Sequence, residues 1–303
     1  MGIGLVVMLA SNQRSFASEY GVSTYRTGIM DMFAGYLAPP GATILKNFTL
    51  FQDARADATT ANGRIQVHAH TVTYTDALFG AHVTGWRILG SYWAFGAIVQ
   101  TRLADQTLRA GPAGHQQRQT DTVFGLGDLI VSPWLLGWSF GRFHLMHSLM
   151  LYAPTGSYER HRIIDLGLNR WSVEPDVGMT WMDEETGRQA SAFIGYTINS
   201  PNTSTHYWSG DEFHADFLLA QHLPRGITLG MAGYALQQTT ADTGSGAEFG
   251  PFKGRVIALG PLGGVTVKIW NVAVHISVKY DFEFAAQNRL SGNELWLTAA
   301  CPL

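Results

Sequence analysis

The pattern of hydrophobic and polar positions is most regular between Asn271 and Phe284, where the two kinds of residue alternate almost without error. A period of two predicts a β-strand with one apolar face and one polar face. At about 3.3 Å per residue the segment is long enough to cross a bilayer even when strongly tilted. Tyr280, Phe282 and Phe284 close the apolar face, where membrane-interface aromatics would lie. The segment favours a transmembrane β-barrel with a polar interior.

The same alternation, followed along the chain, predicts about twelve antiparallel strands. Their approximate ranges are 42–53, 64–78, 88–103, 125–139, 142–154, 171–183, 188–199, 208–222, 226–239, 252–266, 271–284 and 290–300. Long connections at 104–124, 155–170, 200–207 and 240–251 alternate with short ones. Outer-membrane barrels have this asymmetry, with short periplasmic turns and long external loops. The prediction is an all-β fold, a single antiparallel barrel over 42–303.

Composition narrows the class of protein further. The chain has 303 residues, of which 14% are charged, with 34 Gly and a net charge of −3. No apolar run of about 18 residues follows the N-terminus, which excludes a helical membrane protein. No basic stripe is present, so nucleic acid is not expected as a partner. Cys301 stands alone, so no intrachain disulfide can form.

The first residues predict a signal peptide over 1–17. A short apolar core runs from Ile3 to Ala10, and Ser15-Phe16-Ala17 offers small residues at the positions that a signal peptidase reads. The usual positive charge before the core is missing. Export and a barrel together predict the outer membrane of a Gram-negative bacterium, with its lipid as one partner.

Short motifs occur in a fixed order along most of the chain. They include Glu19-x-Gly21-x-Ser23-x-Tyr25-x-x-Gly28, Pro39-Pro40-Gly41, Gly125-Leu126-Gly127-Asp128, Tyr152-Ala153-Pro154-Thr155-Gly156, Asn169-Arg170-Trp171-Ser172 and Glu212-Phe213-His214-Ala215-Asp216. In this order they resemble the outer-membrane channel family named for the MetA pathway of phenol degradation. The resemblance implies a twelve-strand barrel with its N-terminal segment in the lumen, and uptake of small hydrophobic or aromatic compounds. It also implies insertion by the outer-membrane assembly machinery, although this chain ends on Pro302-Leu303 rather than on the usual aromatic residue.

The segment 18–41 is too apolar for a solvated tail and too irregular for a strand. We expect it to plug the lumen and to line the substrate path. The residues predicted to do so are Tyr20, Tyr25, Met30, Asp31, Met32, Phe33 and Tyr36. A surface of methionine and aromatic side chains adapts to varied apolar ligands. A purely structural plug is the alternative.

Charged residues alternate on two of the predicted strands and are expected to form a network inside the barrel. They are Glu212, His214 and Asp216 on one strand, and His275, Lys279, Asp281 and Glu283 on another. Salt bridges that fill a narrow barrel are favoured over a substrate or ion site. Two carboxylates around His214 also resemble metal ligands. Alternate strand positions are about 6.6 Å apart, however, so a neighbouring strand would have to complete the site. No metal or cofactor is predicted.

Two turn motifs are interpreted as structural. Gly127-Asp128 precedes the apolar Leu129-Ile130-Val131, so Asp128 is expected to pair with a loop amide or an Arg. Pro154 would end strand pairing, and Gly156 would free the backbone to turn.

The sequence favours passive uptake of small hydrophobic or aromatic compounds, with no catalytic residues. A general diffusion porin and a soluble lipocalin-like binder are alternatives, and a barrel lipase or protease is a third. His147 and Ser148 do not suit a lipase, because adjacent strand residues point to opposite faces. His206 and Asp211 lie close in sequence and could suggest a protease, but a lone histidine in a loop, such as His206, is usually solvated.

Overall fold

The computed structural model describes residues 19–60, 65–160, 162–247 and 251–303, with only the backbone of Tyr20, Thr59 and Thr60. The predicted signal peptide over 1–17 lies outside the described residues. No helix among the described residues is long and apolar enough to span a membrane.

The described chain is built almost entirely of strands that follow one another in sequence order. They are β1 Thr43–Thr60, β2 Ile65–Ile88, β3 Ser91–Gly111, β4 Gln117–Leu126, β5 Leu129–Phe140, β6 Phe143–Ala153, β7 Ser172–Asp183, β8 Arg188–Asn199, β9 Glu212–His222, β10 Ile227–Gln238, β11 Arg255–Ile269, β12 Val272–Gln287 and β13 Ser291–Pro302. Short helical turns lie at Glu19–Gly21 and Pro224–Gly226. This confirms the predicted all-β fold.

The sheet closes on itself, because β1 pairs antiparallel with β13, with Phe51 opposite Leu295. Strands β4 and β5 both pair with β3, β4 alongside its second half and β5 alongside its first half. They are two halves of one wall strand, interrupted at Gly127 and Asp128. Counted in this way, the wall is the predicted closed barrel of twelve antiparallel strands.

The interruption is held open by Asp128, whose side chain is buried. Its two carboxylate oxygens accept hydrogen bonds from the backbone N–H groups of Gly156 at 2.8 Å and Leu168 at 2.7 Å. Both donors lie in the long connection after β6, so the predicted pairing of Asp128 with a loop amide is confirmed. Strand β6 ends at Ala153, directly before Pro154, as expected.

The first three strands are longer than predicted. Strands β1, β2 and β3 contain 18, 24 and 21 residues. The prediction of a loop over 104–124 was wrong, because most of these residues pair between β3 and β4 and extend that hairpin. Beyond the apolar band both faces of these strands are polar, so no alternation of apolar and polar residues marks them as strand.

The two faces of β12 separate as the alternation predicts. Ile276, Val278 and Phe282 are 42%, 45% and 51% exposed on the outside of the barrel. Ser277 and Lys279, between them, are buried in the interior. An outward apolar face and an inward polar face are the arrangement of a barrel in lipid.

Exposed aromatic residues lie near both ends of the strands. Near the short turns are Trp86, Phe140, Phe143, Trp181 and Trp270, and near the long connections are Phe51, Phe124, Trp171, Phe213, Phe282 and Phe284. Two such girdles flank the apolar band of a membrane barrel, because their amphipathic rings favour the interface. The aromatic end of β12 lies in one of them, as predicted.

Candidate functional site

The N-terminal segment, residues 19–42, runs through the interior from one end of the barrel to the other. At the end with the long connections, Glu19 accepts a hydrogen bond from Asn202 Nδ2 at 2.9 Å. At the end with the short turns, Gly41 N donates to Val83 O at 2.8 Å, and Thr43 then begins β1. The described part of this segment therefore lies in the barrel interior.

Asp216 on β9 is the strongest contact between the wall and the N-terminal segment. Its Oδ2 accepts hydrogen bonds from Tyr25 Oη at 2.6 Å and from the backbone N–H groups of Gly28 and Met30, each at 3.1 Å. Lys279 on β12, three strands away in the sheet, donates to the Gly28 carbonyl. The carboxylate and the ammonium group thus hold the same turn of backbone.

Gly28 is required at this turn. Its φ of +80° lies in the left-handed region that favours glycine. A Cβ at this position would also lie 3.0 Å from the Tyr234 ring and 3.2 Å from Asp281 Oδ2.

The buried Tyr25 ring packs flat against the wall. Its centroid lies 3.5 Å from that of His214, with 8° between the planes, and 6.2 Å from that of Phe193. Stacking and the bond to Asp216 together fix this side chain in one position.

The second half of the N-terminal segment lies against β6 and β7. Gly35 N donates to Thr180 Oγ1 at 3.0 Å. The chains approach so closely that a Cβ on Gly178 would lie 1.9 Å from Ala34 O. Tyr36 stacks on His144 with 3.8 Å between ring centroids. This part of the segment packs closely against the wall.

The residues predicted to line the path divide into three groups. Tyr25 and Asp31 are buried, and Asp31 forms an ion pair with Lys46 at 3.3 Å. Met30, Met32 and Tyr36 are partly buried. Phe33 is 39% exposed and stacks on His222. The side chain of Tyr20 lies outside the described residues.

Most of the residues predicted as a charged network contact the N-terminal segment or one another. Lys279 Nζ lies 3.3 Å from Asp281 Oδ2, and Glu212 accepts a hydrogen bond from Thr24 N. Glu283 and His275 bond to wall residues instead: Glu283 accepts from Tyr234 Oη and Gly292 N, and His275 is paired with Thr266. The N-terminal segment is thus the main partner of this set of residues.

Sequence reasoning missed two groups of interior residues. Arg170 is fully buried and donates from Nη2 to Thr24 Oγ1 at 3.0 Å. Burial lowers the pKa of Arg170, and burial likewise raises the pKa of Glu19 above its usual value. Glu174 and Asp176 on β7 are also fully buried. Their alternation matches that of Glu212 and Asp216, so the same pattern would have found them.

A cavity lies between the N-terminal segment and the wall formed by β1, β2, β3, β5 and β13. Its volume is about 60 Å³, and it is partly open to solvent. Its apolar lining includes Ile29, Phe48, Leu50, Ala77, Ile98, Ile130 and Trp296. Arg26, Gln100 and Arg102 line the same space. An apolar cavity with a few polar groups is typical of sites for small organic ligands.

Removing the Asp216 carboxylate should loosen the N-terminal segment. Asp216→Ala leaves three donors without their acceptor, and each buried donor left unpaired costs about 1–3 kcal/mol. We expect the segment to be cleaved by protease in the folded barrel at rates at least tenfold above wild type. Glu283→Ala is the matched control, because that carboxylate bonds Tyr234 and Gly292 of the wall. Equal cleavage of the two variants would contradict the assigned contact.

Comparisons with known proteins agree with this architecture. Over 90% of its length the chain is similar to an outer membrane channel from Pseudomonas putida F1, all of which is covered, with 16% identity and a TM-score of 0.65. The β domain of the Bordetella autotransporter BrkA (86% of this chain and 99% of that one, 11% identity) has a TM-score of 0.40, too low to support an argument. Pseudomonas aeruginosa OccK10 (88% and 99%, 10% identity) has a TM-score of 0.33 and is equally uninformative. No curated protein matches the chain.

The closed barrel, its outward apolar band and its aromatic girdles define an outer-membrane β-barrel protein of the Gram-negative type. Residues 54–299 match the family described as "Putative MetA-pathway of phenol degradation". The chain belongs to this family, which confirms the resemblance found in its motifs.

Proposed function

We propose that the protein is a channel for passive uptake of small hydrophobic or aromatic compounds, with the N-terminal segment as plug and path lining. The apolar cavity between that segment and the wall is the observation that carries the proposal. Phe48, Leu50 and Trp296 offer an apolar surface on the wall, and Ile29 offers one on the segment. Membership of a family named for phenol degradation agrees with an aromatic solute.

A general diffusion porin for hydrophilic solutes is the main rival. Such a porin needs a continuous water-filled lumen. Here the N-terminal segment lies in the interior, and its contacts engage the charges of Asp216, Lys279 and Lys46 on the wall. The filled interior supports a selective path for apolar solutes.

Catalysis is not proposed. Ser148 is buried and donates to Asp176, whereas His147 accepts from the half-exposed Trp134 on the other face. The two side chains thus diverge as strand geometry requires, and they do not make a nucleophile–base pair. Transport accounts better for a barrel whose interior holds a partly apolar cavity.

Paired uptake measurements test the proposal. Cells with and without the protein are given a toluene-like aromatic compound and a sugar of similar size. We expect faster uptake of the aromatic compound alone when the protein is present. Faster uptake of the sugar with no change for the aromatic compound would show a general diffusion porin.

A pair of variants at neighbouring positions locates the path. Ala77 is buried and lines the cavity, whereas Leu78 is 50% exposed on the lipid face. Ala77→Phe fills part of the cavity and should reduce aromatic uptake severalfold, while Leu78→Phe should leave it unchanged. Equal uptake through the two variants, at equal amounts of folded protein, would exclude this cavity from the path.

A further inference from the structure

Three side chains of metal-ligand type meet in the barrel interior, below the ring of Tyr25. They are Glu174 and Asp176 of β7 and His214 of β9, none of them more than 1% exposed. One ligand atom from each lies within 4.8 Å of the others. The pairing considered from sequence, of His214 with Glu212 and Asp216 on its own strand, is replaced by one across strands.

Gly195 of β8 makes this meeting possible. It is the register partner of both Asp176 on one side and His214 on the other. A Cβ built on Gly195 would lie 2.2 Å from His214 Nε2 and 2.4 Å from Asp176 Oδ1. Without a side chain on the middle strand, residues two strands apart can share one site.

The spacing of the ligand atoms suits a shared ion better than an ion pair. His214 Nε2 lies 3.3 Å from Glu174 Oε1 and 3.9 Å from Asp176 Oδ1. Charge-assisted hydrogen bonds are shorter, at about 2.7–2.9 Å. Two ligands held about 2.1 Å from one tetrahedral ion are about 3.4 Å apart.

Hydrogen bonding leaves three polar atoms of the cluster without a partner. Neither ring nitrogen of His214 has a hydrogen-bond partner among the described residues, and Asp176 Oδ1 has none either. A buried polar atom without a partner is costly, which makes a bound cation at this point favourable.

Hydroxyl groups around the cluster orient the carboxylates. Tyr152 Oη donates to Glu174 Oε1 at 3.0 Å, and Thr197 donates to Glu174 Oε2. Ser148 donates to Asp176 Oδ2 at 3.4 Å, which leaves Oδ1 directed to His214. Outer hydrogen bonds of this kind fix ligand orientation at protein metal sites.

We propose that Glu174, Asp176 and His214 bind one divalent transition-metal ion of the Zn²⁺ type. One imidazole among two carboxylates favours Zn²⁺ over Ca²⁺ and Mg²⁺, which prefer oxygen ligands alone. The ion would fix the His214 ring, on which Tyr25 of the N-terminal segment stacks at 3.5 Å. The site thereby ties the wall to the segment that fills the lumen.

The test is Zn²⁺ binding by the full-length barrel after removal of metal with a chelator. Calorimetric titration with zinc chloride should give one ion per chain, and Ca²⁺ should not compete at equal concentration. Asp176→Asn and His214→Gln should each weaken Zn²⁺ binding at least tenfold. Glu283→Gln and His275→Gln, which change interior residues outside the cluster, should bind as wild type does.

A further variant tests the orienting hydrogen bonds while all three metal ligands stay in place. Ser148→Ala keeps all three ligands and removes one orienting hydrogen bond, for which a loss of about 10-fold or more in affinity is expected. Folding of every variant is checked by its heat-dependent shift on a gel. A folded wild type that does not bind Zn²⁺, or folded Asp176→Asn and His214→Gln variants with unchanged affinity, would overturn the proposal.

Discussion

Deleting residues 19–36 should leave a folded barrel with a much larger single-channel conductance, by at least severalfold. The barrel wall closes through its own pairing of β1 with β13, so its strands do not need the N-terminal segment to meet. The interior that the segment occupies would fill with water. Planar-bilayer recording of the purified variant measures the change.

The charge of the emptied interior gives a second expected result. Removal of the segment uncovers the carboxylates of Asp216, Glu174, Asp176 and Glu212 and the cations Lys46, Lys279 and Arg170 of the barrel. Carboxylates outnumber cations among these residues, so the open pore should prefer cations over anions. Reversal potentials across a salt gradient report this preference.

The control for the deletion keeps the length of the chain. Replacing residues 19–36 with a Gly/Ser segment of equal length removes the contacts to Asp216 and Lys279 and retains the tether. This variant should also open, with noisier current because the tether moves in the pore. Wild-type conductance in both folded variants would show that the segment does not limit permeation.

The sequence predicted the strands best where the chain contacts lipid. Alternation predicted β12 and the opposite orientations of Ile276 and Ser277, because one face of this strand contacts lipid and the other a polar interior. The ends of β1 to β4 escaped prediction, because water surrounds both faces there. Alternation of apolar and polar residues therefore identifies a strand only where its two faces contact different surroundings.

The interior contacts could not be predicted in the same way. Tyr25 and Asp216 are 191 positions apart, and no local pattern connects them. Alternation on β9 predicts that Glu212, His214 and Asp216 share one face, but their partners depend on how the strands and the N-terminal segment meet. The role of Gly195 is similar, since only the register of three strands shows that its missing side chain unites Asp176 with His214.

Arginine on the lipid face of β12 should destabilise the barrel according to its depth in the membrane. Ile276 lies about halfway between Trp270, at the short turn, and Phe282 and Phe284 in the opposite girdle. Ile276→Arg should therefore cost about 2–4 kcal/mol of unfolding free energy, the range for arginine near the bilayer midplane.

Two variants control for side-chain volume and for depth. Ile276→Leu keeps an apolar side chain and should cost less than about 1.5 kcal/mol. Phe284→Arg places the same charge at the interface, where about 0–1 kcal/mol is expected for the charge. Urea titration in lipid vesicles, followed by the heat-dependent gel shift, compares the three. Equal free energies for Ile276→Arg and Phe284→Arg would mean that this face does not cross the hydrocarbon core, because only there does a charge lose its water.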